Sequence, residues 1–137
     1  MERIVTIKKG DTTYAQIFHA VSANGSIRFL TEQQDEFQLG VMERSAGYQV
    51  KPHTHPREEK IARGLTEFLY IEKGAIRVTV FDEEWKELGQ ETLGVGDFLL
   101  FLRGGHSIDV LEECRMIEVK QGPYPGAENA KHFRPAA

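Results

Sequence analysis

Along most of the chain, apolar residues alternate with polar ones or stand in short β-branched and aromatic runs, and no long stretch shows a helical period. This pattern predicts strands over 4–8, 27–30, 37–44, 48–55, 67–72, 76–82, 86–92, 97–102, 106–111 and 115–120. Between them lie turn-forming groups: Asn24-Gly25, Lys73-Gly74, Asp82-Glu83-Glu84, Gly94-Val95-Gly96-Asp97 and Gly104-Gly105. Many short strands with such breaks predict an all-β sandwich or barrel. Segment 31–36 is polar and reads as a surface loop. The β pattern fades after Gly126, which predicts one barrel domain over 1–126 and a tail over 127–137, as a short helix or a draped strap able to pack on a partner subunit.

A chain of 137 residues closes one hydrophobic core, so a single domain is expected. The composition is 40% hydrophobic and 28% charged, typical of a soluble globular protein. No window carries the apolar run of a membrane span, and the start Met1-Glu2-Arg3-Ile4-Val5 lacks that of a secretory signal, so the expectation is a cytoplasmic protein that does not engage membrane. A net charge of −4 gives no long-range attraction to phosphate backbones, which argues against nucleic acid. Cys114, the single cysteine, reads as a small buried hydrophobe.

The strongest chemical feature is Pro52-His53-Thr54-His55-Pro56. On an extended strand alternate side chains share a face, so both imidazoles would point the same way and could hold one cation. Glu67 opens an apolar strand and shares a face with Leu69 and Ile71, where a carboxylate is costly unless paired or metal-bound. His106 similarly shares a face with Ile108 and Val110. Three imidazoles and one carboxylate suit a single divalent transition metal, Zn, Ni, Fe or Mn, better than Ca or Mg.

These residues resemble the first cupin motif: Gly47, five residues, His53-Thr54-His55, a spacer, Glu67, six residues, Gly74. The second motif is matched by Gly96-Asp97, Leu102 where proline is usual, Gly104 and His106. The chain departs from the pattern in an eleven-residue spacer between His55 and Glu67, in one residue fewer between Gly104 and His106, and in lacking the usual following asparagine. Glu59 would satisfy the usual short spacing, but it lies in a charged run without strand character, whereas Glu67 precedes a strand and stands at the right distance from Gly74. The resemblance implies a cupin-like double-stranded β-helix (jelly-roll) barrel with His53, His55, Glu67 and His106 as metal ligands. The ending from Met116 to Tyr124 is similar to the last strand of small stand-alone cupins found near surface-polysaccharide and nucleotide-sugar genes, which implies a carbohydrate-related role.

Further candidates surround this set. Glu118 and Lys120 share one face of the last strand. Facing inward they would be acid/base groups beside the metal; facing outward they would leave Ile117 and Val119 to fill the core, the simpler arrangement. Tyr124 would cap the pocket mouth or pack at the strand exit. Segment 57–65 reads either as a lid bringing Arg57, Lys60 or Arg63 to an anionic substrate or as a solvated loop. Trp85 reads as covering a sheet face, and His19 and His132 as incidental.

Three functions fit: an enzyme using the metal as a Lewis acid on a small sugar-like or carbonyl- or hydroxyl-bearing substrate (isomerase or epimerase type), an Fe(II)-dependent dioxygenase, or a non-catalytic module binding metal or a small ligand. An exposed edge strand at 4–8 would need covering, and a homodimer is expected.

Overall fold

The computed structural model describes residues 1–136. Eight strands form it: β1 (Arg3–Lys9), β2 (Thr12–His19), β3 (Ile27–Phe29), β4 (Gly40–Met42), β5 (Glu67–Phe81), β6 (Glu87–Leu93), β7 (Phe98–Phe101) and β8 (Gly105–Lys120). There is no helix among the described residues. The main sheet runs β1-β2-β7-β5-β6, with β8 paired to β5, and β3 and β4 make a separate ribbon. β6 comes back against β1, where Arg3 meets Glu91 at 2.5 Å, so the sheet is a nearly closed barrel.

The expected all-β fold is therefore present, but its strands are fewer, and two of them much longer, than expected. Stretches 67–72 and 76–82 are one strand, β5, and stretches 106–111 and 115–120 are one strand, β8. The Lys73-Gly74 turn signal marks a bulged bend, with register shifts from Ile71 to Ile76. Gly74 sits at φ +82°, and a Cβ there would stand 2.2 Å from the Glu113 carbonyl oxygen, so only glycine fits. The expected strand over 37–44 shrinks to β4.

Strand β2 is absent from the sequence-based expectation. It lies between β1 and β7, and Tyr14, Ala15, Ile17 and Phe18 are all buried. A strand buried on both faces reads as a continuous apolar run and not as an alternation. Conversely, the strand expected over 48–55 does not form: residues 44–65 are exposed throughout and carry no ladder. Alternating polar and apolar residues are necessary for a half-buried strand, and without a hydrogen-bonding neighbour they are not sufficient.

Ala15, Ile17, Leu69, Ile71, Val78, Val80 and Leu99 form the interior of the barrel. On the opposite face of the sheet Phe18, Phe98 and Phe68 pack together, with ring centroids 5.2 and 6.0 Å apart. Cys114, expected as a small buried hydrophobe, is half-buried and packs against the core. Trp85 is likewise a cover, tilted against Phe81 and lying over Gly105, where a Cβ would clash with its ring. After β8 the chain drapes over its own barrel, with the Arg134 guanidinium 5.4 Å from the centre of the Phe81 ring.

Candidate functional site

The site forms where the two ends of the β5–β8 ribbon meet. Glu67 begins β5 opposite Lys120 and Phe101, while His106, near the start of β8, pairs with Val80 thirteen residues further along β5. On a straight strand those positions would be roughly 40 Å apart. The bend at Gly74 and the roll of the barrel close that gap, and His106 Nε2 lies 3.1 Å from Glu67 Oε2.

Two local features hold His106 in place. The turn before it needs Gly104 at φ +75°, where a Cβ would stand 2.2 Å from the Phe81 carbonyl oxygen. The imidazole then lies flat on Phe101, with centroids 3.8 Å apart and planes 1° from parallel. The side chain of Glu67 is 14% exposed and that of His106 29%, so the pair is sheltered yet reachable. The His106 contact holds the Glu67 carboxyl below its usual range; burial opposes this, and the nearby charges of His106, Lys120 and Lys131 reinforce it. An ionised carboxylate beside an imidazole can exchange a proton with a bound molecule or bind a cation.

His53 and His55 are arranged differently. Their rings stand edge to face with centroids 5.0 Å apart, so the two imidazoles are neighbours as expected, although no strand carries them. The His53 Nδ1–H donates to the Lys51 carbonyl oxygen at 2.7 Å, which leaves Nε2 as the free nitrogen. Both residues are exposed. Among the described residues no group of three or more His, Cys, Asp or Glu side chains is placed to hold a metal ion. The four expected ligands thus stand as two pairs. Glu59 is exposed on the irregular segment, and the carboxylate that meets His106 is Glu67.

Glu118 and Lys120 lie on the interior-facing side of β8, because Lys120 is paired with Glu67 and Glu118 with Leu69. The simpler outward arrangement does not match this register: Ile117 and Val119 take the opposite face, 42% and 52% exposed, although the Glu118 side chain is itself 42% exposed. The reason is register, which the ladder with β5 sets and the local alternation of β8 cannot. Lys120 Nζ lies 3.2 Å from Glu118 Oε1, and this partner keeps the ammonium more basic than usual. Tyr124 is exposed, with its ring 6.0 Å from the Lys120 ammonium, and lines a side cavity of about 590 Å³. Of the three expected substrate-binding residues, Arg57 and Lys60 are exposed on the irregular segment, Lys60 pairing with Glu58 at 3.2 Å. Arg63 is the one that lines the cavity holding Glu67 and His106, which measures about 550 Å³.

His19 is not incidental to the fold. Its Nδ1 lies 2.9 Å from Asp97 and its Nε2 3.2 Å from Glu91, which also takes Arg3, so one imidazole ties β2 to the β6–β7 turn and to the β1–β6 seam. Its partners are 72 and 78 residues away, and no sequence spacing signals them. Set against protein-family models, curated proteins and solved structures, the chain has no significant match, so the site is read from its own geometry.

Proposed function

We propose that this chain is a cupin-type jelly-roll barrel working as a divalent-metal-dependent enzyme on a small sugar-like molecule that bears a hydroxyl or carbonyl group. The observation that carries this reading is the 3.1 Å approach of His106 to Glu67 from opposite ends of one ribbon, inside a cavity of small-molecule size. A buried carboxylate on an apolar strand face is costly, and here it is matched to an imidazole and not replaced by a hydrophobe.

The donor set suits a first-row divalent ion in chemistry, with imidazole nitrogens and one carboxylate. In placement, Glu67 and His106 would hold it first, and His53 and His55 would join from the segment that leads directly into Glu67. Such an ion would polarise a substrate oxygen. The other work belongs to the chain: Lys120 and Glu118, paired beside Glu67, are the groups left to hold or pass a proton, and Phe101 keeps the His106 imidazole in one plane.

Elemental analysis of purified protein, stripped with chelator and reloaded with Zn, Ni, Fe or Mn in turn, tests this. Wild type should take up close to one ion per chain, and Glu67→Gln and His106→Ala should each weaken uptake by about 10- to 100-fold. Uptake below about 0.2 per chain with every metal overturns the reading, and loss of binding in Glu59→Gln with Glu67→Gln intact overturns the choice of Glu67 as the carboxylate ligand. Oxygen consumption with Fe(II) would mark a dioxygenase. That no three donors converge favours a second reading, a non-catalytic module for a small ligand. A ligand that raises the melting temperature without turnover under any metal would select it.

A further inference from the structure

The cavity around Glu67 and His106 is lined by two arginines that reach it from unrelated parts of the chain. Arg63 comes from the segment before β5 and Arg103 from the β7–β8 turn. Leu65, Phe101 and Leu102 supply apolar wall between the polar groups.

Arg103 is set in place on one edge only. Its Nε–H donates to Glu83 at 3.3 Å, Glu83 is pinned in turn by the Tyr14 hydroxyl at 2.5 and 2.9 Å, and the guanidinium lies 5.8 Å over the Tyr14 ring. Tyr14 itself is 3% exposed, so this support belongs to the barrel core. The two Nη groups of Arg103 have no side-chain partner among the described residues. Arg63 is anchored by its backbone, whose N–H donates to both oxygens of Glu36 at 3.1 and 3.0 Å. Its guanidinium has no carboxylate partner among the described residues either. Glu67, the carboxylate lining this cavity, is occupied by His106. Two arginines with unpaired Nη groups, beside one carboxylate already engaged by His106, offer donors to an anion, since the planar fork matches a carboxylate or phosphate in two parallel hydrogen bonds.

We propose that the small molecule bound at this site is an anion, with its carboxylate or phosphate held by Arg63 and Arg103 while the rest of it lies against Glu67 and His106. This rests on the reading of the cavity as a small-molecule site and not on the metal. Arg57 and Lys60, which precede Arg63 on the same segment, are not needed for it.

Calorimetry on the chelator-treated full chain at low salt tests the inference, with inorganic phosphate, malonate and uncharged glucose as probes. Phosphate or malonate should bind in the millimolar range or tighter while glucose gives no heat, and the tighter of the two anions identifies the group. Arg63→Gln and Arg103→Gln, at exposed positions, should each weaken anion binding by about tenfold or more, with a melting temperature close to wild type showing that the loss of the Arg103–Glu83 contact has not unfolded the barrel. Glu67→Gln should bind the anion at least as tightly as wild type, because it removes a negative charge from the cavity. Failure of both anions to bind, or equal binding in wild type and both arginine variants, overturns the proposal. Arginine-dependent anion binding in a chain that takes up no metal leaves this inference standing and removes the metal reading. Metal uptake with anion binding that ignores both arginines does the reverse.

Discussion

The β5–β8 ribbon and the segment between β4 and β5 each carry two of the four expected ligands, and they hold them by opposite means. In the ribbon, Glu67 and His106 are fixed by ladders on β5, β7 and β8, by the bend at Gly74 and by the stack on Phe101. In segment 44–65, His53 and His55 are neighbours only because a single residue, Thr54, separates them along the chain, and every residue around them is exposed. A pair assembled by tertiary contacts is held through many side chains at once. A pair assembled by sequence adjacency is held by the backbone alone and is free to move as a unit. On the proposed metal reading the site would be divided, with one half built into the barrel and the other carried on the exposed segment.

The comparison can be broken first at its glycines. Gly104→Ala places a Cβ 2.2 Å from the Phe81 carbonyl at positive φ, and should lower stability by about 3 kcal/mol in a denaturant melt. Gly47→Ala also sits at positive φ, but nothing stands within 4 Å of its Cβ, and it should cost only about 1 kcal/mol. Equal melting of the two variants would mean that the ribbon is no more rigid than the segment.

A second measurement is amide exchange. Leu69, Ile71 and Val78 should exchange only on global unfolding, while 51–62 should exchange at nearly unprotected rates. Protection appearing over 51–57 on addition of a divalent metal would sharpen the picture of the segment as the moving half. Slow exchange there without metal would break it.

The smallest expected effect lies at the far end of β5, where the almost fully buried Asp82 carboxylate accepts from Lys9 at 2.9 Å and from the backbone of Lys86 and Glu84. These contacts, Lys9 first, hold its carboxyl below the usual range. A group whose folded pKa is depressed contributes stability above the ordinary carboxylate range and loses it as pH falls through the folded value. Stability of the wild type should therefore decline on acidification in that window, and Asp82→Asn should be less stable at neutral pH with a flatter acid limb. An unchanged acid limb would show that Asp82 does not tie the β5–β6 hairpin to β1.

How much was legible can be judged residue by residue. Glu67 and His106 were marked by a local conflict, a polar group on an apolar strand face, and the structure resolves that conflict by pairing them. Tyr14 and Arg103 were not marked at all, because their relation runs through Glu83, 69 residues from one and 20 from the other. His19 escaped for the same reason. The turn at 73–74 was read as a break between strands, since glycine with positive φ looks alike in a loop and in a bulge.

The sequence by itself determined the class of the fold, several of the glycines that take positive φ, and the candidate donors, because strand period and turn chemistry are properties of a few neighbouring residues. Only the tertiary structure decided that 12–19 is a central strand and that 48–55 pairs with nothing. It also decided that Ile117 and Val119 face outward, and that Glu67 meets His106 and not the two histidines nearest it in sequence. Each of these depends on which strand lies alongside which and how far the sheet rolls, and hydrogen-bonding partners dozens of residues apart leave no local trace.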